Sequence, residues 1–521
     1  MQIGASQFDE SLAVLGLLLI GGALISGLAR RSFLSLTALF VIAGFALGEG
    51  GLEVLRFDPG SGFVASLATV ALVLILFRDG LEVEAEMLQK AWHLPARKLV
   101  LAMPITAALV AVAANLLTDL DWTQSFLLGA LLMFGALIAG LVRRSFLSLA
   151  AAFVLAGFVL GQGGLEVLNF DPRGGFVHDL AVIALIVILF RDGLEVEAEM
   201  LQTAWHLPLR KLALAMPVTC ALVALAAHVL TGLDWTESFL LGALLSPTDP
   251  VLSSSVVTNP RVPRLVRHSL NLESGLNDGL ALPAVLAFSA ALASGQDDFV
   301  WWEFVLQDVL LGFAFGVILG FVASKLMPSG RRLDEPRPDH AQSLYALGAA
   351  FAIYGIAVGL PPEGNGFIAV FVGAIVLGIR RPDLRVSFEQ RSDDVIEIVK
   401  LGIFVVFGAL LTFSALFADG WSAVALVAFT LLVARPVAVW IALAGTGTDA
   451  AWKGFMAWFG PKGVATMTFS LFVLGQAIPE GERIFNLAAL CVFTSVLVHG
   501  LSDTPGSEWL ARREERSARP R

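Results

Sequence analysis

Apolar runs of the roughly 17–25 residues needed to cross a lipid bilayer recur along nearly the whole of this chain. No other feature narrows the possible folds as much. Of the 521 residues, 57% are hydrophobic and 15% charged, against about 25% charged in soluble domains. The chain is therefore read as an all-α polytopic membrane protein. Its two cysteines, Cys220 and Cys491, both lie in apolar runs and suggest neither a disulfide framework nor a metal site. The start, MQIGASQFDE, lacks the basic opening of a signal peptide. The tail, EWLARREERSARPR, is expected to be disordered, with no soluble regulatory domain after the membrane part.

Residues 31–132 and 144–245 are nearly the same sequence, at a constant offset of 113 and without gaps, with 78 of 102 positions identical. Identity this high marks a recent tandem duplication, or an artefact of sequence assembly, and not an ancient structural repeat. Each unit holds four apolar segments, near 12–29, 33–48, 63–78 and 98–117 in the first and 125–142, 146–161, 176–191 and 210–230 in the second. Nine more follow, near 236–258, 270–294, 304–327, 342–360, 365–379, 395–417, 421–445, 454–476 and 484–502. About 17 helices are thus predicted, 13 of them without the duplicated unit.

Alternate loops are rich in Lys and Arg, from Arg30/Arg31 through Arg210/Lys211 and Arg261/Arg264/Arg267 to Arg380/Arg381/Arg385/Arg391. The loops between them are poor in basic residues and often acidic, with Arg56, Arg173 and Arg483 as exceptions. By the positive-inside rule the N-terminus is expected outside and the C-terminus in the cytoplasm. A four-helix insertion is even, so it leaves everything downstream in the same orientation.

Polar residues within the apolar runs carry the functional signal, because charge at the bilayer centre is costly and marks ion pathways. In SLNLESGLNDGLALPAVLAF, residues 269–288, Glu273 and Asn277 are four apart, as are Ser274 and Asp278. On a helix the four form one polar stripe. The preceding run, LLGALLSPTDPVLSSSVV, carries Pro247 and Pro250 around Thr248 and Asp249. The prolines break the helix and free the carbonyls of Ala243 and Ser246 in mid-membrane. Broken backbone beside a carboxylate is a way of building a cation site. Hard oxygen ligands suit Na⁺, Li⁺ or H⁺. Further along, Arg435 in LLVARPVAVW requires a buried acidic partner. It is paired here with Glu273, which leaves Asp278 and Asp249 for the ion. Lys400 and Lys462 are further polar points.

Taken singly, each feature has a plainer reading. Glu273 could answer the helix dipole, the prolines could be a kink, and Asn277 could be interhelical glue. Lys400 reads as an interfacial residue, Lys462 as either structural or tuning. Asp79 and Asp192, in the two copies of FRDGLEVE, read as loop-proximal. The combination of Thr-Asp-Pro, Asn-Asp and a later buried arginine is not explained by these readings.

SPTDP followed by ESGLNDG, with the ARP helix and the GPKG segment, resembles the monovalent cation:proton antiporters of the NhaP type, in the branch with Asn-Asp. The resemblance covers residues 125–503. It implies an NhaA/NhaP-like inverted-repeat fold with broken helices, a dimerisation domain and a mobile core, 13 core helices plus about four duplicated ones. Asp278 would be the main ion and proton carrier, with Na⁺ at Asp278 and Asp249, Thr248 and Ser274 as further ligands, and Asn277 shaping the site. Glu273 and Arg435 would form a structural pair, Pro247 and Pro250 the helix break, and Lys462 and Lys400 possible tuning residues. The implied activity is electroneutral 1:1 exchange of Na⁺, or Li⁺ or K⁺, for H⁺ by an elevator-like movement of a homodimer in a bacterial-type inner membrane. No cofactor beyond the transported ions and no nucleic-acid partner is expected.

The first copy departs from the family pattern. It lacks Thr-Asp-Pro and Asn-Asp after Leu132, where MFGAL follows. Residues 1–124 are therefore expected to be a non-transporting duplicated unit, peripheral to an antiporter domain at 125–503, with 504–521 a polar cytoplasmic tail. A cation channel or transport-dead sensor on the same scaffold is the alternative. An intramembrane enzyme finds no HExxH, GxSxG or GxGD motif.

Overall fold

The computed structural model describes residues 12–21 (except Val14 and Leu18), 122, 149–172, 175–196, 209–249, 262–295, 299–327, 339–476 and 478–517. Among them every regular element is a helix. The helices are α1 (within residues 12–21), α2 (Leu149–Leu160), α3 (Gly175–Leu194), α4 (Lys211–Thr231), α5 (Trp235–Leu244), α6 (Arg264–Ser294) and α7 (Trp301–Leu326). They continue as α8 (Asp339–Gly359), α9 (Gly366–Arg380), α10 (Pro382–Ala409), α11 (Trp421–Ala442), α12 (Ala450–Trp458), α13 (Val464–Gly475) and α14 (Gly481–Ser517). Most coincide with apolar runs of the sequence.

In hydrocarbon there is little hydrophobic force between helices, so close approach through small residues does much of the packing. Gly312, Gly316 and Gly320 of α7 form such a seam against α9. A Cβ at these positions would lie 2.5–2.8 Å from the carbonyl oxygens of Asn365, Ala369 and Gly373. Gly157 and Gly161 of α2 face Val405 and Ala409 of α10 in the same way, and Gly408 answers from α10 against Val154. Near the N-terminus, Gly16 of α1 lies against the backbone of Gly348 and Ala352 on α8, and Leu12 is fully buried.

The α4–α5 hairpin is written in local chemistry. Gly232 ends α4 at φ +70°, its N–H returning to the His228 carbonyl at 3.1 Å. Asp234 and Glu237 then form a capping box at the start of α5, Glu237 Oε2 accepting the Asp234 N–H at 2.9 Å. This turn delivers α5 to its break at a fixed angle.

Three expectations are corrected. The run 454–476, expected to be one helix, is two, α12 and α13, separated by Phe459–Gly463. Lys211, counted among loop residues, is fully buried. The polar tail is helical as far as Ser517: Leu510 and Ala511 are buried, and Trp452 Nε1 donates to Glu514 at 2.8 Å, which docks the end of α14 on α12. Its buried positions, Asp503, Ser507, Leu510 and Ala511, share one helical face, and Arg512, Arg513, Glu515 and Arg516 are exposed.

Candidate ion site

Two non-helical stretches meet in the buried interior. The first break, Leu245–Asp249, follows α5; the second, Phe459–Gly463, separates α12 from α13. They are tied reciprocally. Asp249 N–H donates to the Pro461 carbonyl at 2.8 Å, and Val464 N–H donates to Asp249 Oδ2 at 3.3 Å. Lys462 Nζ donates to the Pro247 carbonyl at 3.2 Å, and Lys462 N–H to Ser495 Oγ of α14 at 2.8 Å. Asp249 thus caps the N-terminus of α13, a helix that starts in the interior and would otherwise leave N–H groups unpaired. Gly463 makes the approach possible, since a Cβ there would lie 2.2 Å from Asp249 Cβ.

The polar stripe of α6 faces this meeting point. Asn277 Nδ2 donates to the Thr248 carbonyl at 2.7 Å and to Thr248 Oγ1 at 3.0 Å. Asp278 is buried, and its Oδ1 has no hydrogen-bond partner among the described residues. Pro283, one turn on, has no N–H to offer the Gly279 carbonyl, so α6 is loosened just beyond Asp278. The Ala243 carbonyl, expected to be free, accepts from Ser246 N–H at 3.3 Å and Ser246 Oγ at 3.0 Å. The side chain of Ser274 and the whole of Pro250 lie outside the described residues.

Asp192, expected near a loop, does lie close to the end of its helix, but in the interior. It is a buried residue near the end of α3, and its carbonyl lies 3.9 Å from where a Cβ on Gly275 of α6 would stand. Asp192 and Asp249, both buried, and the half-buried Lys400 of α10 lie near enough to Asp278 for their charges to act on it. The sequence signal was available, because FRDGLEVE follows an apolar run without a break. Its apparent position at the end of the run concealed it.

A second polar cluster lies beside the first. Glu273 Oε2 accepts Lys211 Nζ at 2.6 Å, and Glu273 Oε1 accepts Arg435 Nη1 at 3.1 Å, all three side chains being buried. The Glu273–Arg435 pairing expected from the sequence is present, joined by a lysine that sequence reasoning placed in a loop. Lys211 Nζ also donates to the Ser269 carbonyl at 3.2 Å. Both cations sit at π-helical turns, Lys211–Ala215 and Thr430–Ala434, each followed by a proline, Pro217 and Pro436. A proline clashes with the carbonyl four residues back, and widening the preceding turn relieves the clash. Arg435 lies flat on Gly460, where a Cβ would fall 1.9 Å from Nε, so the guanidinium also braces the second break.

Comparison with known proteins shows the family and the fold. A family model described as "Sodium/hydrogen exchanger, transmembrane" matches residues 16–135 and 133–509. The K(+)/H(+) antiporter NhaP of Alkalimonas amylolytica is 27% identical over 366 residues, 69% of this chain and 62% of that protein. The Na(+)/H(+) antiporter NhaG of Bacillus atrophaeus is 26% identical over 406 residues, 74% of this chain and 75% of that protein. The chain thus spans less than two thirds of the first relative's length. The sodium proton antiporter MjNhaP1 of Methanocaldococcus jannaschii shares its fold, with a TM-score of 0.64 at 19% identity, covering 74% of this chain and 97% of the other. With matches that run over most of its length, the chain belongs to the transmembrane sodium/hydrogen exchanger family.

Proposed function

We propose that the chain exchanges a monovalent cation, Na⁺, K⁺ or Li⁺, for H⁺ across a membrane, and that Asp278 carries both. The observation that carries this reading is the buried Oδ1 of Asp278, which has no hydrogen-bond partner among the described residues and feels the charges of Asp192 and Asp249. A carboxylate there is left without the solvation it had in water, and only a proton or a bound cation restores the balance. Because one oxygen set serves both, the ions exclude each other, and that exclusion couples the fluxes. The names of the relatives, K(+)/H(+) and Na(+)/H(+) antiporters, support the class of ion.

The other site residues take supporting roles. Thr248 and Asp249 border the ion from the first break, with Ser274 a further ligand on α6. Asn277 holds Thr248 in place and carries no charge, which supports 1:1 electroneutral exchange. Glu273 and Arg435 lock α6 to α11, and Lys462 fixes the meeting of the two breaks. Lys400, on α10, acts on Asp192 and Asp278 and tunes the charge around them.

An elevator-like movement is supported by the distribution of polar contacts. The helices α4–α6 and α11–α14 are tied to one another by ions and hydrogen bonds, including Arg483 of α14, which binds the Thr231 carbonyl at 2.6 Å and Asp419. Against α3 and α9 they present glycines and rings: Gly279 lies on Phe371, and Phe472 packs on His178 and Phe367. A body held together by polar contacts, meeting its neighbours largely through glycines and rings with Asp192 of α3 and Lys400 of α10 as charged exceptions, suits a shear movement. A homodimer with its N-terminus outside is part of the same proposal, the exposed apolar side of α7 offering a surface for the second copy.

The test is cation-driven proton flux in proteoliposomes with K⁺, Na⁺ or Li⁺ in turn, comparing the full chain with Asp278→Asn. Exchange present in the first and lost in the second is the expected result. A cation current without proton counterflow would instead indicate a channel.

A further inference from the structure

Followed to its ends, the tandem repeat is residues 20–132 followed directly by 133–245, two units of 113 residues. Their junction falls inside an apolar run of helical length. Residues 122–132, WTQSFLLGALL, match 235–245, WTESFLLGALL, at ten of eleven positions. Residues 133–143, MFGALIAGLVR, match 20–30, IGGALISGLAR, at seven of eleven. The run 122–143 is therefore a hybrid, the front of an α5-type helix joined to the back of a first-helix type. The front of the first helix, LAVLGLLL at 12–19, occurs in the chain once.

That single front half is what sits on α8. A Cβ on Gly16 would lie 2.2 Å from the Ala352 nitrogen and 2.6 Å from the Gly348 carbonyl oxygen. One on Gly348 would lie 2.7 Å from Leu19 Cβ, and one on Gly355 would lie 2.3 Å from Ala13 Cβ. The two backbones meet with nothing larger than a methyl group between them at Ala13. In the repeat offset, Ala13 corresponds to Phe126 of the hybrid run. A phenyl ring cannot enter a contact that a methyl group already fills. The neighbouring places are held by the second unit: α2 packs on α10, α3 on α9 and α13, and α4 on α5, which runs straight into Pro247–Asp249.

We infer that the transport unit is discontinuous in sequence, built from residues 12–30 and 144–509, and that the groove at Gly348, Ala352 and Gly355 of α8 selects its first helix by Ala13. Gly16 does not discriminate, since the hybrid run also has a glycine, Gly129, in its place. By sequence, residues 31–143 are the added copy and are not needed for that unit. A division at 124/125 would assign the first helix to the wrong copy, because it would put the hybrid run in the seat. The excised stretch holds four apolar runs, an even number, so α2 leaves the membrane on the same side with or without it.

The experiment uses the full chain in detergent, read by recovery of monodisperse protein and by its melting temperature, neither of which depends on transport. Ala13→Phe, which writes the hybrid residue into the seat, is expected to lower recovery roughly fivefold or more, as overpacking does at a close-packed contact. Phe126→Ala is expected to change neither readout. A chain lacking residues 31–143, which joins Arg30 to Arg144, is expected to be recovered and to melt like the full chain. Tolerance of Ala13→Phe, equal damage from Phe126→Ala, or aggregation of the shortened chain would each overturn the inference. Cation-driven proton flux, measured afterwards on the full and shortened chains, tests the transport reading separately: both could fold alike and neither exchange.

Discussion

Lys462 Nζ reaches the Pro247 carbonyl at 3.2 Å, joining the stretch that separates α12 from α13 to the one that follows α5. The contact explains why a buried ammonium is kept in the second break. Pro247 disrupts α5, and the carbonyls exposed by such a break need donors that the helix itself no longer supplies. A cation in place of a backbone N–H gives a stronger bond. Hydrogen bonds to charged groups contribute about 1.5–3 kcal/mol. Lys462→Met should therefore lower the melting temperature of the purified protein and cut exchange by an order of magnitude or so. Normal exchange by Lys462→Met would remove Lys462 from the site.

Glu273 is held by two cations, and this makes an ordering of variants predictable. Glu273→Gln leaves Lys211 and Arg435 buried together without an anion, the costliest arrangement, on the order of 3–5 kcal/mol. Lys211→Met leaves Glu273 paired with Arg435, and Arg435→Met leaves it paired with Lys211, so each should be milder. Melting curves in detergent should rank Glu273→Gln lowest. A Lys211→Met curve superimposed on that of the unaltered chain would show that the 2.6 Å contact adds nothing to stability.

Asn277 acts through Thr248, to which it gives both of its hydrogen bonds. Asn277→Ala removes them and leaves the Thr248 carbonyl to turn, about 1–3 kcal/mol for a buried acceptor left unpaired. The expected signature is a raised apparent KM for the cation with a smaller change in maximal rate, since Asp278 itself stays. Equal loss of both parameters would mean that Asn277 matters for folding and not for the binding geometry.

Much of this was legible in the sequence because lipid simplifies the code. Asp278, Asp249 and Arg435 stand out where nearly every neighbour is apolar, and a proline beside an aspartate announces a break. Legibility ended where charge sat at the margin of a run. Lys211 follows Arg210 and looks like an interfacial base, yet a π-turn carries it inward to Glu273. Asp192 follows Arg191 and looks like the start of a loop, yet α3 continues to Leu194. The second break had too weak a signal, since GPKG lies between apolar stretches that read as one helix. Its partner, the Asp249 carboxylate that caps α13, is 215 residues away in sequence.

At the other end of the scaffold, Arg381 closes the α7–α10 corner. Its Nε and Nη2 bind Asp383 at 2.9 and 2.8 Å, while Nη1 donates to the Ser324 carbonyl at 3.3 Å and to that of Met327. The guanidinium hydrogen bonds hold the Asp383 carboxyl below its ordinary value of 3.8. A carboxylate with a lowered pKa contributes stability that is complete above the ordinary value and fades as the pH falls through the lowered one. Asp383→Asn should accordingly melt below the unaltered chain at pH 7 and at pH 5 by the same margin, and the margin should close as the pH is taken from about 4 downward. The Asp383 side chain is 43% exposed, which keeps the effect to about 1 kcal/mol or less. Arg381→Met should cost more at every pH, because it also strips the last carbonyls of α7 of their donor. If the Asp383→Asn margin were instead constant down to pH 3, the ion pair would have no part in holding the corner, and the carbonyl contacts of Arg381 alone would account for it.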